Sequence, residues 1–337
     1  MCAAVFAKAS YGMESPRDMS FDIVGGQLIA HTHVLPGILP ESTGGEFALN
    51  AGFSKLHLQK QGSSASNFCL AVDSGVDSSF LACAVSLFKV AMLYEPREIN
   101  QAGYAAAEKH MSELHLVLTN DPELLDRYPQ KTQRYPTGGS YLLETERLRG
   151  AKIRNVSISA SKKKMLDGHR LRHQVVSEFR GLGLVPMGGG YKKYDSWATP
   201  YARFRFSVVI ENSAGPFLFT EKLIHSLLFR CIPVYWGATE LPHEFSPEGI
   251  LRFRDIDELH ALWPTLNRKK YRELEPFLAR NQSAALEYCS TDLNVQRSIA
   301  SFFGVDEFSK DSATNYFADH KAVLSGSAPF APIRRIR

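Results

Sequence analysis

From Asn67 onward the chain alternates short apolar runs with amphipathic stretches. "NFCLAV" (67–72) reads as a strand, Asp77 to Phe88 as a helix of small and apolar residues, and "KVAMLYEP" (89–96) as a second strand. A helix, "QAGYAAAEKHMSEL" (101–114), leads into a third apolar run, "LHLVLTND" (114–121). A second series follows: "NVSISA" as strand, "GHRLRHQVVSEF" as helix, and "GLGLVPMGGGY" as strand and loop. "FRFSVVI", "TEKLIHSLLF" and "CIPVYWG" then read as strand, helix and strand, followed by "GILRF" and the helix "DIDELHALWPTL". Alternation of this kind predicts α/β folding around parallel sheets. After about Lys269 the pattern is helical and polar through Phe303.

The two series are separated by "RYPTGGSYLLETERLRGAK" (134–152). Pro136 and the Gly138–Gly139 pair break regular structure there, and the charges of 144–152 suit a solvated crossing. The expected domains are therefore 1–145 and 150–305, with a tail over 306–337. Within the first domain the opening ~60 residues show little periodicity. Two α/β domains place the default binding site in the cleft between them.

Composition narrows the function classes. A chain of 337 residues is comfortable for two cores, and 44% hydrophobic with 22% charged residues is ordinary globular composition. A net charge of +4 suits anionic small molecules and is too weak to argue for nucleic acid. The five cysteines (2, 69, 83, 231 and 289) are scattered without zinc spacing, which predicts reduced, mostly buried thiols. No apolar run approaches the length of a spanning helix and no secretory signal is read, so a cytoplasmic location is expected. The terminal "PIRRIR" gives at most weak peripheral contact with an anionic membrane.

The chemistry concentrates in "FSVVIENSAGPFLFTEKLIHSLLFRCIPVYWG" (206–237). A doubly buried strand ends at Glu211, a loop of Asn, Ser, Gly and Pro follows, and a helix begins with Thr220 as N-cap. Leu223, Ile224, Leu227 and Leu228 form its apolar face, with Lys222, Ser226 and Phe229 away from it. Ligands of open α/β sheets sit at strand carboxyl ends and helix N-termini. Glu211, Glu221 and Lys222 crowd such a place: Lys222 can neutralise a diphosphate, and a carboxylate can accept hydrogen bonds from ribose hydroxyls. Glu221 as a helix-dipole partner, Lys222 as a solvated lysine and Asn212 in an Asx-turn are the competing readings.

The stretch from 204 to 237 resembles the donor-binding motif of family 10 glycosyltransferases, the α-1,3/4-fucosyltransferases. That motif runs as an apolar strand, Glu-Asn, a short loop, Thr-Glu-Lys, a helix, and Pro-Val or Pro-Ile before a glycine. Weaker similarity extends over most of 67–265. The resemblance implies a GT-B-like fold, two Rossmann-like domains facing a central cleft, with GDP-fucose as donor and inversion at the anomeric centre. It implies α-1,3 or α-1,4 transfer to a GlcNAc- or Glc-containing oligosaccharide or glycoconjugate, without a required cofactor or metal. By the same resemblance Arg172, with Arg170 as its rival, serves the diphosphate. Glu95 is the general base, with Glu98 as the alternative, or else Glu95 is a partner of Arg97. Asn212 and Glu221 would position ribose or fucose, and Glu211 would organise the loop. One departure stands out. The family often carries Tyr three residues before the Glu of Thr-Glu-Lys, where this chain has Leu218 between Phe217 and Phe219. A neighbouring ring can substitute, or the donor pocket differs.

Other patterns carry less. "DID" (Asp255–Asp257) resembles a metal-nucleotide motif but sits where an N-cap belongs. "DSGVDSS" (73–79) reads as a turn entering a helix, "MGGGY" (187–191) as a glycine-rich turn that lets backbone approach a ligand, and Lys162–Lys164 as a solvated patch. His31 and His33 have no companion ligands for a metal. Two further function classes stay open: a GT-B enzyme using another nucleotide sugar, and a sugar-nucleotide- or glycan-binding module without catalysis.

Overall fold

The computed structural model describes residues 21–22, 46–47, 56–57, 68–76, 88–140, 151–194, 196–289 and 291–303. The expected helix over 77–87, His31 and His33, Cys2, Cys83 and the arginine-rich terminus lie outside the described residues. Phe88, placed at the end of that helix from the sequence, opens a strand instead.

The first sheet contains β1 (Phe21–Asp22), β4 (Phe68–Val72), β5 (Phe88–Met92), β6 (Leu116–Leu118) and β7 (Thr132–Gln133), all parallel and neighbouring in that order. A separate antiparallel pair joins β2 (Glu46–Phe47) to β3 (Leu56–His57). Helix α1 (Gln101–Lys109) connects β5 to β6, and α2 (Pro122–Arg127) connects β6 to β7. The sequence pattern carries α1 on to Leu114. It stops at Lys109 because the chain turns to bring the His115 N–H onto the Lys89 carbonyl at 2.9 Å.

The second sheet holds β8 (Arg154–Ser159), β9 (Leu184–Met187), β10 (Phe204–Ile210), β11 (Ile232–Trp236) and β12 (Leu251–Arg252) in the order β12-β11-β10-β8-β9, again all parallel. Helix α3 (Asp167–Phe179) joins β8 to β9, and α4 (Glu221–Leu228) joins β10 to β11. One face packs Val156, Ile158, Val208, Ile210 and Val234 against Val175, Val176 and Phe179 of α3. The other packs Val209 and Tyr235 against Leu223, Ile224, Leu227 and Leu228 of α4. Burial on both faces is why these strands read as continuous apolar runs. The two parallel sheets are those expected of a GT-B-like α/β chain.

Beyond β12 come α5 (Ile256–Leu262), α6 (Arg268–Tyr288) and α7 (Thr291–Phe303). Helix α6 packs on α4, and Ser226 and Phe229, which lie away from the apolar face read from the sequence, are buried as well. Ser226 Oγ donates to the Cys231 carbonyl at 2.7 Å, which satisfies its hydroxyl there. Helix α7 packs on β7 of the first sheet as well as on α6. Cys231 and Cys289 are buried and outside any disulfide, and the Cys289 thiol donates to the Leu286 carbonyl at 3.0 Å.

Of the charged positions 144–152 in the crossing only Lys152 is among the described residues, and it and the Gly138–Gly139 pair are bonded to the second series. The Gly138 N–H donates to the Phe219 carbonyl at 3.1 Å and the Gly139 N–H to the Tyr288 carbonyl at 2.9 Å. Lys152 Nζ donates to the carbonyls of Tyr201 and Ala202 at 3.0 and 3.1 Å, and burial pulls its ammonium down to about 8. Backbone acceptors before β10, before α4 and at the end of α6 bind these segments, which charge alone could not indicate. Among the described residues, no helix is long and apolar enough to cross a membrane.

Candidate active site

In the second sheet, chain order and spatial order reverse between β8 and β10. Their following connections leave toward opposite sides, which opens a crevice at the carboxyl ends. Glu211 and Asn212 end β10 there, and α3 and α4 begin there.

Glu211 is fully buried. Its Oε1 accepts from the Thr220 N–H at 2.9 Å and its Oε2 from the Thr220 hydroxyl at 2.6 Å, closing the 211–220 loop. Thr220 caps α4 as expected. Lys222 Nζ lies 2.9 Å from Glu221 Oε1, 3.0 Å from Thr220 Oγ1 and 3.7 Å from Glu211 Oε2. The two carboxylates hold Lys222 charged, above its ordinary range, against the burial that opposes this. Burial raises the Glu211 carboxyl, whereas Lys222 keeps Glu221 below its usual value despite burial.

Arg172 comes from α3. It lies on the same face as Val175, Val176 and Phe179, so the guanidinium is buried with them. Nε donates to the Ile210 carbonyl and Nη2 to Asn212 Oδ1, both at 2.9 Å. The Asn212 side chain is thus engaged by Arg172 rather than by an Asx-turn. Arg170 is exposed and turns back to Asp167 and to the Met165 carbonyl. At 168 a side chain has no room: a Cβ would stand 1.8 Å from the Glu211 carbonyl oxygen. Gly168 therefore lets the start of α3 abut the end of β10, where its N–H donates to the Asn212 carbonyl at 3.1 Å.

Three cations converge here. Burial lowers His169 to about 4, with Arg172, Lys163 and Lys222 adding to the effect, so its imidazole is neutral near pH 7. Lys163, read from the sequence as part of a solvated patch, is exposed, yet its charge is felt at His169 and at Glu95.

The facing wall is the carboxyl edge of the first sheet. Asp73 follows β4, Glu95 follows β5 and Asn120 follows β6, so adjacent parallel strands deliver all three to one edge. Glu95 is half-buried. Burial raises its carboxyl, Lys222 across the cleft opposes the rise, and Glu221 adds to it. Arg97 is not its partner: it bonds Asp121 at 3.0 Å and Glu108 at 2.8 Å and lies over the Tyr104 ring. Glu98 is exposed on the following turn.

Sequence reasoning missed Asp73 and Asn120. Asp73 is fully buried with φ of 50°, and its Oδ1 accepts from Tyr94 N–H (2.8 Å), Glu95 N–H (3.2 Å) and Asn100 Nδ2 (2.8 Å). It thereby fixes the backbone that carries Glu95. Burial, the largest influence, pushes its carboxyl up to about 7. The signal available in the sequence was an Asp directly after an apolar run, in the same place as Glu95 after the next one.

Between the walls lies a cavity of about 200 Å³ lined by Glu95, Asn120 and Pro122 on one side and Ser213, Pro216 and Leu218 on the other. Leu218 faces it alone of the three residues around the family's tyrosine position. Phe219 is buried against Phe245 and Tyr288, and Phe217 lies under Arg134, so neither ring replaces the tyrosine at this cavity. The glycine-rich turn also serves packing: Gly188, at φ of 108°, places the position of a Cβ 2.3 Å from the Ala160 carbonyl oxygen. Asp255 caps α5 by accepting from the Glu258 N–H at 2.9 Å, the role assigned to it from the sequence. Among the described residues, no group of three His, Cys, Asp or Glu side chains is placed to hold a metal ion.

No family model matches the chain. A curated α-(1,3)-fucosyltransferase, FucT of Helicobacter pylori, is 30% identical over 60 residues, which is 17% of this chain and 13% of that protein. The chain resembles the α-1,3-fucosyltransferases. The matched segment spans far less than two thirds of the bacterial fucosyltransferase's length. Among solved structures, an α1,3-fucosyltransferase with GDP is 15% identical, with 80% of this chain and 81% of that chain covered and a TM-score of 0.43. The same enzyme class with GDP-fucose gives 15% identity, coverage of 73% and 80%, and a TM-score of 0.44. TarM gives 9% identity, coverage of 70% and 54%, and a TM-score of 0.47.

Proposed function

We propose that this protein transfers L-fucose from GDP-fucose to a hydroxyl of a GlcNAc- or Glc-containing oligosaccharide, with inversion. The observation that carries the reading is the meeting of Lys222 and Arg172, at the switch point of one sheet, with Glu95 on the edge of the other. The diphosphate lies at the start of α4, where Lys222, Arg172 and the helix N-terminus stabilise it. Glu221 and Asn212 position ribose or fucose. The acceptor oxygen attacks the anomeric carbon from the side opposite the diphosphate. As that C–O bond forms, the bond to the β-phosphate oxygen breaks, GDP leaves with the electron pair, and Glu95 takes the hydroxyl proton. Protein cations here supply the charge that a divalent metal supplies elsewhere, and no cofactor is needed. Support for the donor sugar comes from the Glu-Asn and Thr-Glu-Lys pattern and from the short match to a fucosyltransferase.

The test is incubation with GDP-fucose and a panel of lactosamine acceptors, with and without EDTA. Transfer that is abolished by Lys222→Ala and by Glu95→Ala supports the roles given, and transfer that survives both removes them. Loss with EDTA overturns the metal-free reading. Leu218 favours one alternative, a different nucleotide sugar in the same fold. It predicts transfer from another donor and none from GDP-fucose.

A further inference from the structure

The Asn120 side chain stands out on the wall that carries Glu95. Both its Nδ2 and its Oδ1 are buried, and neither has a hydrogen-bond partner among the described residues. A buried amide without partners costs about 1–3 kcal/mol per unmet group, and native structures rarely leave both ends unmet. Asn120 borders the 200 Å³ cavity that Glu95, Pro122, Ser213 and Leu218 also line. The wall behind it is stiff, because Arg97 ties Asp121 to Glu108 at 3.0 and 2.8 Å.

An amide that offers one donor and one acceptor side by side matches two neighbouring hydroxyls of a sugar ring, each of which can donate and accept. We propose that Asn120 binds such a hydroxyl pair on the acceptor sugar and so determines which hydroxyl is presented to Glu95. This inference rests on the glycosyl-transfer reading of the same cleft and adds the acceptor's recognition feature, a vicinal diol on a ring seated between β6 and the 213–218 loop. Leu218, from the donor-side loop, supplies an apolar floor for the ring's C–H face. Asn120 is thereby a specificity residue, whereas Glu95 meets the reacting hydroxyl.

The experiment compares the wild type with Asn120→Leu and Asn120→Ala. Acceptor KM and GDP affinity are measured for each. Acceptor KM should rise by about 10-fold or more, the loss expected from one or two hydrogen bonds, while GDP affinity stays unchanged. Wild type should discriminate against acceptors deoxygenated at one of the two hydroxyls, and both variants should lose that discrimination. Asn120→Leu, being apolar and of similar size, should fold with unchanged or higher Tm. An unchanged acceptor KM, as when a trapped water alone satisfies the amide, overturns the proposal, as does a fall in Tm that shows the amide bonded within the fold. Should wild type transfer no sugar from any donor, the functional reading fails separately. Saccharide binding by saturation-transfer NMR then decides: binding lost in Asn120→Leu supports the site, and equal binding or none in wild type overturns it.

Discussion

Asp73→Asn separates the electrostatic cost of the Glu95 wall from its hydrogen bonding. The substitution keeps the side-chain shape, tolerates the positive φ of 50° and retains an Oδ1 for Tyr94, Glu95 and Asn100. It removes the carboxylate. The rise from 3.8 to about 7 corresponds, at about 1.36 kcal/mol per pH unit, to about 4 kcal/mol by which folding disfavours the charged form. The sign follows from proton counting. Between pH 4 and pH 7 the folded protein holds a proton on Asp73 that the unfolded chain has released, so stability falls as pH rises through that window. The new amide nitrogen takes the place of Oδ2, which is buried without a partner among the described residues. That costs about 1–3 kcal/mol, equally at every pH. The effect of Asp73→Asn should therefore be about 4 kcal/mol more favourable at pH 8 than at pH 4, whatever the fixed cost. Urea unfolding of both proteins at the two pH values, followed by far-ultraviolet circular dichroism, measures this difference. A mutational effect that is the same at both values, within about 1 kcal/mol, refutes the reasoning.

Three more outcomes follow from the same geometry. Lys222→Met removes the cation that opposes the rise of Glu95, so the Glu95 carboxyl should titrate at higher pH, alongside a large loss of donor affinity; a titration by NMR of side-chain-labelled glutamate that does not move contradicts their coupling across the cleft. Glu211→Ala strips both acceptors from Thr220 and leaves Lys222 with one carboxylate, which should destabilise the fold by about 3–5 kcal/mol in denaturant unfolding. Gly168→Ala gains about 1 kcal/mol of helix propensity on an open surface. Here its methyl would meet the Glu211 carbonyl, so calorimetry should show a lower Tm and a binding assay weaker GDP affinity.

The alternation of strands and helices was legible because parallel strands buried on both faces must be apolar throughout, and that composition is local. β10, α4 and β11 lie where the pattern placed them, and Thr220 and Asp255 cap their helices because capping is satisfied within three residues. Arg172 could be separated from Arg170 by helical spacing, since it shares a face with Val175, Val176 and Phe179. Burial of Ser226 and Phe229 was not legible, because it depends on α6, which begins some forty residues further on.

What the chain order alone determined, then, is a pair of parallel α/β sheets and a cluster of Glu211, Glu221 and Lys222 at one strand-to-helix joint. Tertiary structure decided what faces that cluster. Strand pairing sets Asp73, Glu95 and Asn120 side by side although 22 and 25 positions separate them in turn. It also decided that Phe219 is spent on the core while Leu218 meets the cleft. The physical reason is that burial and Coulomb attraction act through space: the Glu95 carboxyl is raised by burial and opposed by Lys222, a group the chain brings close only after both sheets have formed.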